Sequence, residues 1–248
     1  MRQLPLALVV LVPLLSAPSP APADMEISDC DRQAAHPFDP NRPEGVSGVL
    51  IQGLEPVGAI AACERALEQN PGHARLQFQL ARSLYKAERY PEALKLILLA
   101  VEQGYAPAER NLGHGYYRGK LVPQDDGEAL KWFRKAAAQG HALAQYDLGK
   151  MYERGDGVPL NFAEAAKWYR RAAEQKLTLG QYSLAYLYQA GSGVPKDRVQ
   201  ALMWFSIAAA LGDTYSDGVR KLAAFSLSAD KVAEADRRAR AWLDQHRE

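Results

Sequence analysis

The amino-acid sequence predicts an all-α fold of stacked helical hairpins, because it contains an internal repeat with helix signals at matching places. Three segments of the 248-residue chain superpose at a fixed offset of 36 residues. The positions that all copies share include Leu112, Leu148 and Leu184, Tyr116, Tyr152 and Tyr188, Gly119, Gly155 and Gly191, and Trp132, Trp168 and Trp204. Repeats of this length are typical of solenoids, in which each unit buries its apolar face against the next one.

Each repeat carries the signals of two helices joined by a turn. Ala, Leu, Gly or Ala, and Tyr fall on one face of the first helix, where the small residues allow a close neighbour. Glycines mark the turn, since glycine tolerates the positive φ that often ends a helix. The first repeat departs from this pattern with Lys120 and Leu121. The second helix starts with a capping box in every copy, which pairs Asp125 with Glu128, Asn161 with Glu164, and Asp197 with Gln200.

Further helices flank the repeats. Residues 57–69 predict a helix that stops before a Pro-Gly pair, and residues 74–104 predict a hairpin with a shorter turn. After the third repeat, residues 215–225 and 229–245 predict two helices, with Ser228 as the N-cap of the second. The polar residues of the last helix suit a terminal cap, which a solenoid needs to close its exposed core.

The repeat pattern resembles a known family. Residues 142–175 read A-x-A-Q-x-x-L-G-x-x-Y-x-x-G-x-G-V and then A-x-x-W-Y-x-x-A-A-x-Q, which closely resembles a Sel1-like repeat. The 74–104 hairpin resembles the related tetratricopeptide repeat. The resemblance implies a right-handed α-solenoid that acts as an adaptor for other proteins.

The sequence divides into consecutive units on this basis. They are a signal peptide (1–23), a Pro-rich N-terminal segment (24–56), tetratricopeptide-like helices (57–105), three Sel1-like repeats (106–141, 142–177 and 178–213) and C-terminal capping helices (214–248).

The first residues predict export. Arg2 precedes an apolar run from Leu4 to Leu15, and Ala21-Pro22-Ala23 matches a signal-peptidase site, so we expect cleavage near Ala23. The run is too short to span a bilayer, so we expect a soluble periplasmic or secreted protein with no transmembrane anchor in the mature chain. The chain has 30 Lys and Arg against 29 Asp and Glu, which argues against a nucleic-acid partner.

Cys30 and Cys63 are the two cysteines of the chain. In an oxidising compartment such a pair favours a disulfide, which would tie the N-terminal segment to the first helix. A redox pair and two free thiols are the alternatives, although there is no Cys-x-x-Cys motif to favour redox chemistry.

The motifs for catalysis are weak. Ser-x-x-Lys occurs at Ser83 and at Ser228, a pattern of interest because some secreted cysteine-rich Sel1-like proteins have been linked to penicillin binding and β-lactam hydrolysis. The Lys-Thr-Gly element is missing, and Ser83 falls within a predicted helix. The scattered histidines lack metal-ligand spacing, so we expect no metal and no cofactor, and we interpret His36, His73, His141 and His246 as loop or surface residues.

The residues that the repeats do not share indicate a binding surface. In this type of hairpin, by the same resemblance, first-helix positions on either side of the Leu-Gly pair line a concave wall. We call these residues the predicted wall: Phe78, Arg82, Tyr85 and Lys86; Arg110, His114, Tyr117 and Arg118; Tyr146, Lys150, Glu153 and Arg154; and Tyr182, Tyr186, Gln189 and Ala190. Cations and aromatic rings dominate this set, whereas Glu153 is its single acid.

Such a wall favours an extended protein or peptide segment of acidic character, or one that ends in a carboxylate. We therefore expect a non-enzymatic exported adaptor that regulates or assembles an envelope complex. The alternatives are a penicillin-interacting serine hydrolase of the cell envelope, acting through Ser228 or Ser83, and a module that binds peptidoglycan or acidic glycan.

Overall fold

The computed structural model describes residues 29–246, and the predicted signal peptide lies outside them. Within this range the chain forms helices connected by turns, without strands, so the all-α prediction is confirmed. The helices are α1 (Asp29–Ala34), α2 (Pro56–Gln69), α3 (Ala74–Lys86), α4 (Tyr90–Glu102), α5 (Ala106–Arg118), α6 (Asp126–Ala138), α7 (Ala142–Arg154), α8 (Phe162–Glu174), α9 (Thr178–Ala190), α10 (Arg198–Ala210), α11 (Thr214–Phe225) and α12 (Ala229–Gln245). None of them is both long and apolar enough to cross a membrane.

Consecutive helices pack as hairpins, and consecutive hairpins stack. The pairs α3–α4, α5–α6, α7–α8 and α9–α10 are in contact along their lengths, and each second helix also touches the first helix of the next hairpin. The core is a chain of apolar clusters that are shared between neighbouring hairpins. The first helix of each hairpin therefore holds a fixed position relative to the next first helix, which places the predicted wall.

The second helices start as the sequence predicts, with one difference. Oδ1 of Asp125 accepts a hydrogen bond from the main-chain N–H of Glu128 at 2.9 Å, and Asn161 and Asp197 cap α8 and α10 in the same way. The reciprocal half of the capping box is replaced, because the N–H of Asp125 donates to the carbonyl of Tyr116 instead. Glu128 forms an ion pair with Lys131 at 2.5 Å. The cap thus links the two helices of one hairpin.

Small residues allow the two helices of a hairpin to approach. A Cβ at Gly149 would lie 2.6 Å from the ring of Tyr169, and a Cβ at Gly113 would lie 2.8 Å from the ring of Phe133. Both rings are buried. The ring of the second helix therefore lies directly on the backbone of the first.

A second glycine contact joins one hairpin to the next. At Gly157, which has a φ of +64°, a Cβ would lie 2.5 Å from the carbonyl oxygen of Asp126 in the preceding hairpin. A Cβ at Gly193 would lie 2.2 Å from the main-chain carbonyl carbon of Phe162, also in the preceding hairpin. In the first repeat, Leu121 occupies this position, and it packs on Gly115 and on the cluster around Ile97. The preceding α3–α4 hairpin has the shorter turn, so the first repeat fills this site with a side chain.

The N-terminal segment closes one end of the stack. A disulfide joins Cys30 to Cys63, as predicted from the sequence, and it fixes α1 against α2. Asp31 is fully buried, where Arg75 and Gln79 of α3 bind its carboxylate at 3.3 Å and 2.9 Å. The chain between α1 and α2 is therefore held against α3.

The C-terminal end of the stack, as the structure describes it, is covered by two helices, α11 and α12, and has no disulfide. Both α11 and α12 pack on α10, and Trp242 of α12 meets Trp204 with ring centroids 5.7 Å apart. Ser228 precedes α12, as predicted, but its side chain makes no capping hydrogen bond. The expectation of a polar cap is only partly met, because Leu222 and Phe225 of α11 are 75% and 93% exposed.

The packing of the ring on Gly149 leads to a stability prediction. We expect Gly149→Ala to lower the free energy of unfolding by about 2 kcal/mol, because the added methyl group forces the buried Tyr169 ring to shift. Urea unfolding followed by circular dichroism measures this change. Gly218→Ala in α11 is the matched control, since a Cβ there meets no atom within 4 Å, and its stability should be unchanged or slightly higher. Equal stability of both variants would contradict the proposed contact.

The disulfide leads to a second prediction. It closes a loop with a sequence separation of 33 residues, so its removal in Cys30→Ser/Cys63→Ser should lower the free energy of unfolding by about 3 kcal/mol. Limited proteolysis should then cut the N-terminal segment before the repeats, because α1 is no longer tied to α2. Uniform cutting along the chain would contradict this local role.

Candidate functional site

A basic cavity of about 220 Å³ lies where α3, α5 and the N-terminal segment meet. Arg82, Tyr85, Arg110, His114 and Arg118 of the predicted wall line it together. Its other lining residues include His36 and Ile51 of the N-terminal segment, Asn111, and Lys120 and Leu121 of the α5–α6 turn. No acidic residue of the described chain is among them. We refer to this space as the basic cavity.

Two residues of the predicted wall are not open to solvent, and the expectation for them is wrong. Phe78 is 2% exposed, because it packs in the core against Tyr105 with ring centroids 5.6 Å apart. Arg82 is 3% exposed, because its guanidinium donates hydrogen bonds to the main-chain carbonyls of Ala34 and Val49. The N-terminal segment therefore covers most of Arg82, which still borders the basic cavity.

An ion pair that the sequence analysis missed lies in the wall. Asp147 of α7 is buried, and its Oδ2 accepts hydrogen bonds from Nε of Arg110 at 2.6 Å and from Nε2 of His114 at 2.9 Å. Asp147 was not considered because it lies one position before the repeated Leu148, where the other repeats have Asn111 and Ser183. The sequence did contain a signal for this ion pair, because the second repeat has an acid at a position where both other repeats have a neutral residue.

The environment of Asp147 determines its own pKa and that of His114. Burial opposes the ionised form, but Arg110 and His114 outweigh it and hold the pKa of Asp147 well below its usual value. Burial also lowers the pKa of His114, against the effect of Asp147. Asp147 thus compensates the charge of Arg110, and Arg110 is not a free cation.

The wall continues over α7 with cations placed beside tyrosines. Nζ of Lys150 lies 5.7 Å from the ring centroid of Tyr146, and Arg154 donates to the hydroxyl of Tyr117 at 3.3 Å. That hydroxyl in turn donates to Asp156 at 2.9 Å. These contacts hold the side chains in place, while Arg154 stays exposed.

The acid of the predicted wall turns inward. Glu153 accepts a hydrogen bond from the hydroxyl of the buried Tyr169 at 2.7 Å. Burial and this hydrogen bond raise the pKa of Tyr169 well above its usual value. Glu153 therefore supports the core beneath the wall.

Two tyrosines of α9 extend the wall. Tyr182 lies between Phe205 and Tyr215, with ring centroids 5.6 Å and 5.3 Å away, and burial together with Tyr215 raises its pKa to about 12. Tyr186 is 54% exposed.

At the other end of the wall, Lys86 of α3 is exposed, and its Nζ lies 3.4 Å from the carbonyl oxygen of Gln52.

The serines considered for catalysis lie far apart in the fold. Ser83 is fully buried in α3, where its hydroxyl donates to the carbonyl of Gln79 at 3.0 Å. No substrate reaches it there. Ser228 is exposed before α12, at the opposite end of the stack. Across residues 29–246, no group of three His, Cys, Asp or Glu side chains is placed to hold a metal ion.

His141 lies in the loop before α7, as expected, but it is buried and does not lie on the surface. It is 4% exposed and caps α7, because its Nδ1 accepts a hydrogen bond from the N–H of Ala144 at 3.2 Å. Burial, assisted by Arg110, lowers the pKa of His141 to about 4. Burial and the charge of Arg82 also lower the pKa of His36, to about 2.

Comparison with known protein families identifies the repeats and their boundaries. The family model described as Sel1 repeat matches residues 106–141, 142–177 and 178–213, and a tetratricopeptide repeat model matches residues 54–109. The chain therefore contains three consecutive Sel1 repeats. Sel1 repeats generally act as protein–protein interaction modules. A comparison with curated proteins finds no match.

Solved structures of Sel1 repeat proteins are similar to this one. A protective antigen of uropathogenic Escherichia coli with an SLR fold is 32% identical, with a TM-score of 0.68 over 82% of this chain and 43% of that protein. A Sel1 repeat protein from Oxalobacter formigenes is 37% identical, with a TM-score of 0.54 over 56% of this chain and 57% of that protein. The chain thus spans about half the length of these relatives.

The lowered pKa of His141 predicts that the stability of the protein depends on pH. Between pH 6.5 and about 4 the unfolded chain protonates His141 whereas the folded chain does not, so the free energy of unfolding falls as the pH falls. His141→Asn keeps a capping side chain and removes the titration, and it should reduce that fall by about 2 kcal/mol. Urea unfolding at a series of pH values measures both slopes. Equal slopes would show that His141 titrates alike in both states.

Proposed function

We propose that the protein is an exported, non-enzymatic adaptor that holds an extended, acidic segment of another protein along its first helices. The observation that carries this proposal is the basic cavity, in which Arg82, Arg110 and Arg118 meet and to which no acidic residue of the described chain contributes. The family supports a protein partner, because Sel1 repeats generally act as interaction modules.

The cations that are available to a partner are those without a carboxylate of their own. Arg118, Lys120, Lys150 and Arg154 have no ion pair with any residue between 29 and 246, whereas Arg110 is compensated by Asp147. Carboxylates of a bound segment can therefore form charge-assisted hydrogen bonds with these side chains. The neighbouring Tyr117 and Tyr146 add apolar contact area with few rotatable bonds.

The way α3 binds the N-terminal segment illustrates the chemistry that we propose for a partner. Arg82 binds the carbonyls of Ala34 and Val49, and Arg75 donates to the carbonyl of Asn41 at 2.8 Å. These contacts recognise main chain rather than a particular side chain. A partner segment on α5 and α7 would be held by the same means, with its acidic side chains adding to the affinity.

The disulfide supports the exported setting. A bond between Cys30 and Cys63 persists in an oxidising compartment, and the sequence before residue 24 has the features of a signal peptide. We therefore place the partner in the periplasm or outside the cell.

Selection from a random decapeptide library, displayed by the N-terminus so that the C-terminus is free, tests the proposal. We expect residues 24–248 to select peptides rich in Asp and Glu. Lys150→Glu/Arg154→Glu should weaken their binding more than tenfold in fluorescence anisotropy, because two attractive charges become repulsive.

The matched control is Arg170→Glu/Arg171→Glu on α8, which makes the same charge change beside Tyr188 and Trp168. It should bind the peptides as the wild type does. Equal losses in both double variants would mean that overall charge, and not the wall, governs binding. Selection of peptides without acidic residues would also overturn the proposal.

A further inference from the structure

We propose that the basic cavity binds the C-terminal carboxylate of the bound segment, so that the protein recognises the end of its partner's chain. This inference rests on the proposed function, because it names the part of the partner that the site takes. Three features of the described residues support it: the closed end of the wall, the sign of the charge in the cavity, and the hydrogen-bonding state of Arg82.

The wall is closed at the basic cavity. His36 and Ile51 of the N-terminal segment border the cavity on the side of α3, and Lys120 and Leu121 border it from the α5–α6 turn. The N-terminal segment itself is fixed by the disulfide and by buried Asp31. An extended segment that follows the first helices from α9 to α5 therefore meets the N-terminal segment and cannot continue along α3. A chain end fits such a place better than a passing chain.

The charge in the cavity selects which end of the chain is bound. Arg82, Arg110, Arg118 and Lys120 line it, and Asp147 compensates Arg110 alone. Burial, together with the charges of Arg82 and Arg110, lowers the pKa of the nearby His36. An N-terminal ammonium group would be repelled, whereas a carboxylate is attracted.

Arg82 offers donors of the right kind. Each of its two terminal nitrogens donates a hydrogen bond to a main-chain carbonyl, and no carboxylate of residues 29–246 forms an ion pair with it. Burial of this guanidinium, which is 3% exposed, lowers its pKa to about 10, and the charge of Asp39 offsets this effect only in part. A carboxylate in the cavity would add a direct ion pair, and it would do so only for a ligand that reaches the closed end.

The test uses peptides that residues 24–248 select from the free-ended decapeptide library. Each peptide is synthesised with a C-terminal carboxylate, with a C-terminal amide, and with two additional glycines after the last residue. We expect the amide and the extended form to bind about tenfold or more weakly than the acid form. Fluorescence anisotropy of peptides labelled at the N-terminus measures the three affinities.

A variant assigns the effect to the cavity. Arg118→Gln removes an exposed cation that has no ion pair in the described chain, and it should reduce the difference between acid and amide. Arg171→Gln on α8, which does not line the cavity, should leave the difference unchanged. Circular dichroism confirms that both variants are folded.

The outcomes separate this inference from the proposed function. If amidation and extension leave binding unchanged while Lys150→Glu/Arg154→Glu abolishes it, the wall binds internal segments and the inference is overturned. If binding depends on the terminal carboxylate and on Arg118 but not on Lys150 and Arg154, the terminal site stands and the extended groove fails. A full difference between acid and amide in Arg118→Gln would also overturn the assignment to this cavity.

Discussion

The structure depends on the contact between a ring of one helix and the bare backbone of its partner. Tyr169 lies against Gly149, and Phe133 lies against Gly113. Because a side chain at the glycine would displace the ring, the repeat retains a small residue there and an aromatic residue opposite. The distance between the two helices of a hairpin follows from this contact. The stacking of hairpins depends in turn on the loop glycines, such as Gly157, which lie on the preceding backbone.

This packing divides the side chains into two groups. Residues that recur every 36 positions are used between helices, as the burial of Leu112, Leu148 and Leu184 shows. Residues that differ between repeats lie on the remaining face of the first helices, where they are free to vary without disturbing the stack. A binding surface on a solenoid is therefore expected among the positions that do not repeat, and the basic cavity includes such positions, at Arg82, Arg110, His114 and Arg118.

Local signals in the sequence were sufficient to predict the hairpins. The caps at Asp125, Asn161 and Asp197 and the glycine turns act over a few residues, so each of them could be identified without knowledge of the fold. The disulfide followed from a count of cysteines and the predicted compartment. The wall was predicted less well, because the burial and the bonding partners of Arg82 and Asp147 depend on contacts between distant parts of the chain.

Those two residues show why the sequence was insufficient. Arg82 is covered by a segment more than 30 positions earlier, whose path has no helical periodicity to reveal it. Asp147 meets Arg110 from the next hairpin, and the pairing depends on the stagger between α5 and α7. Periodicity identifies the face of a helix, but it does not identify the partner that a side chain finds across an interface.

The two ends of the stack give the wall a direction. At the N-terminal end, the disulfide, the buried carboxylate of Asp31 and the carbonyls bound by Arg82 fix a segment across α3. At the C-terminal end, α11 leaves Leu222 and Phe225 exposed, and no described segment crosses the wall there. A groove that is closed at one end distinguishes a chain end from a chain middle, because only an end can enter the closed part. Since the cations gather at that closed end, the asymmetry of the fold and the distribution of charge favour the same orientation of a bound segment.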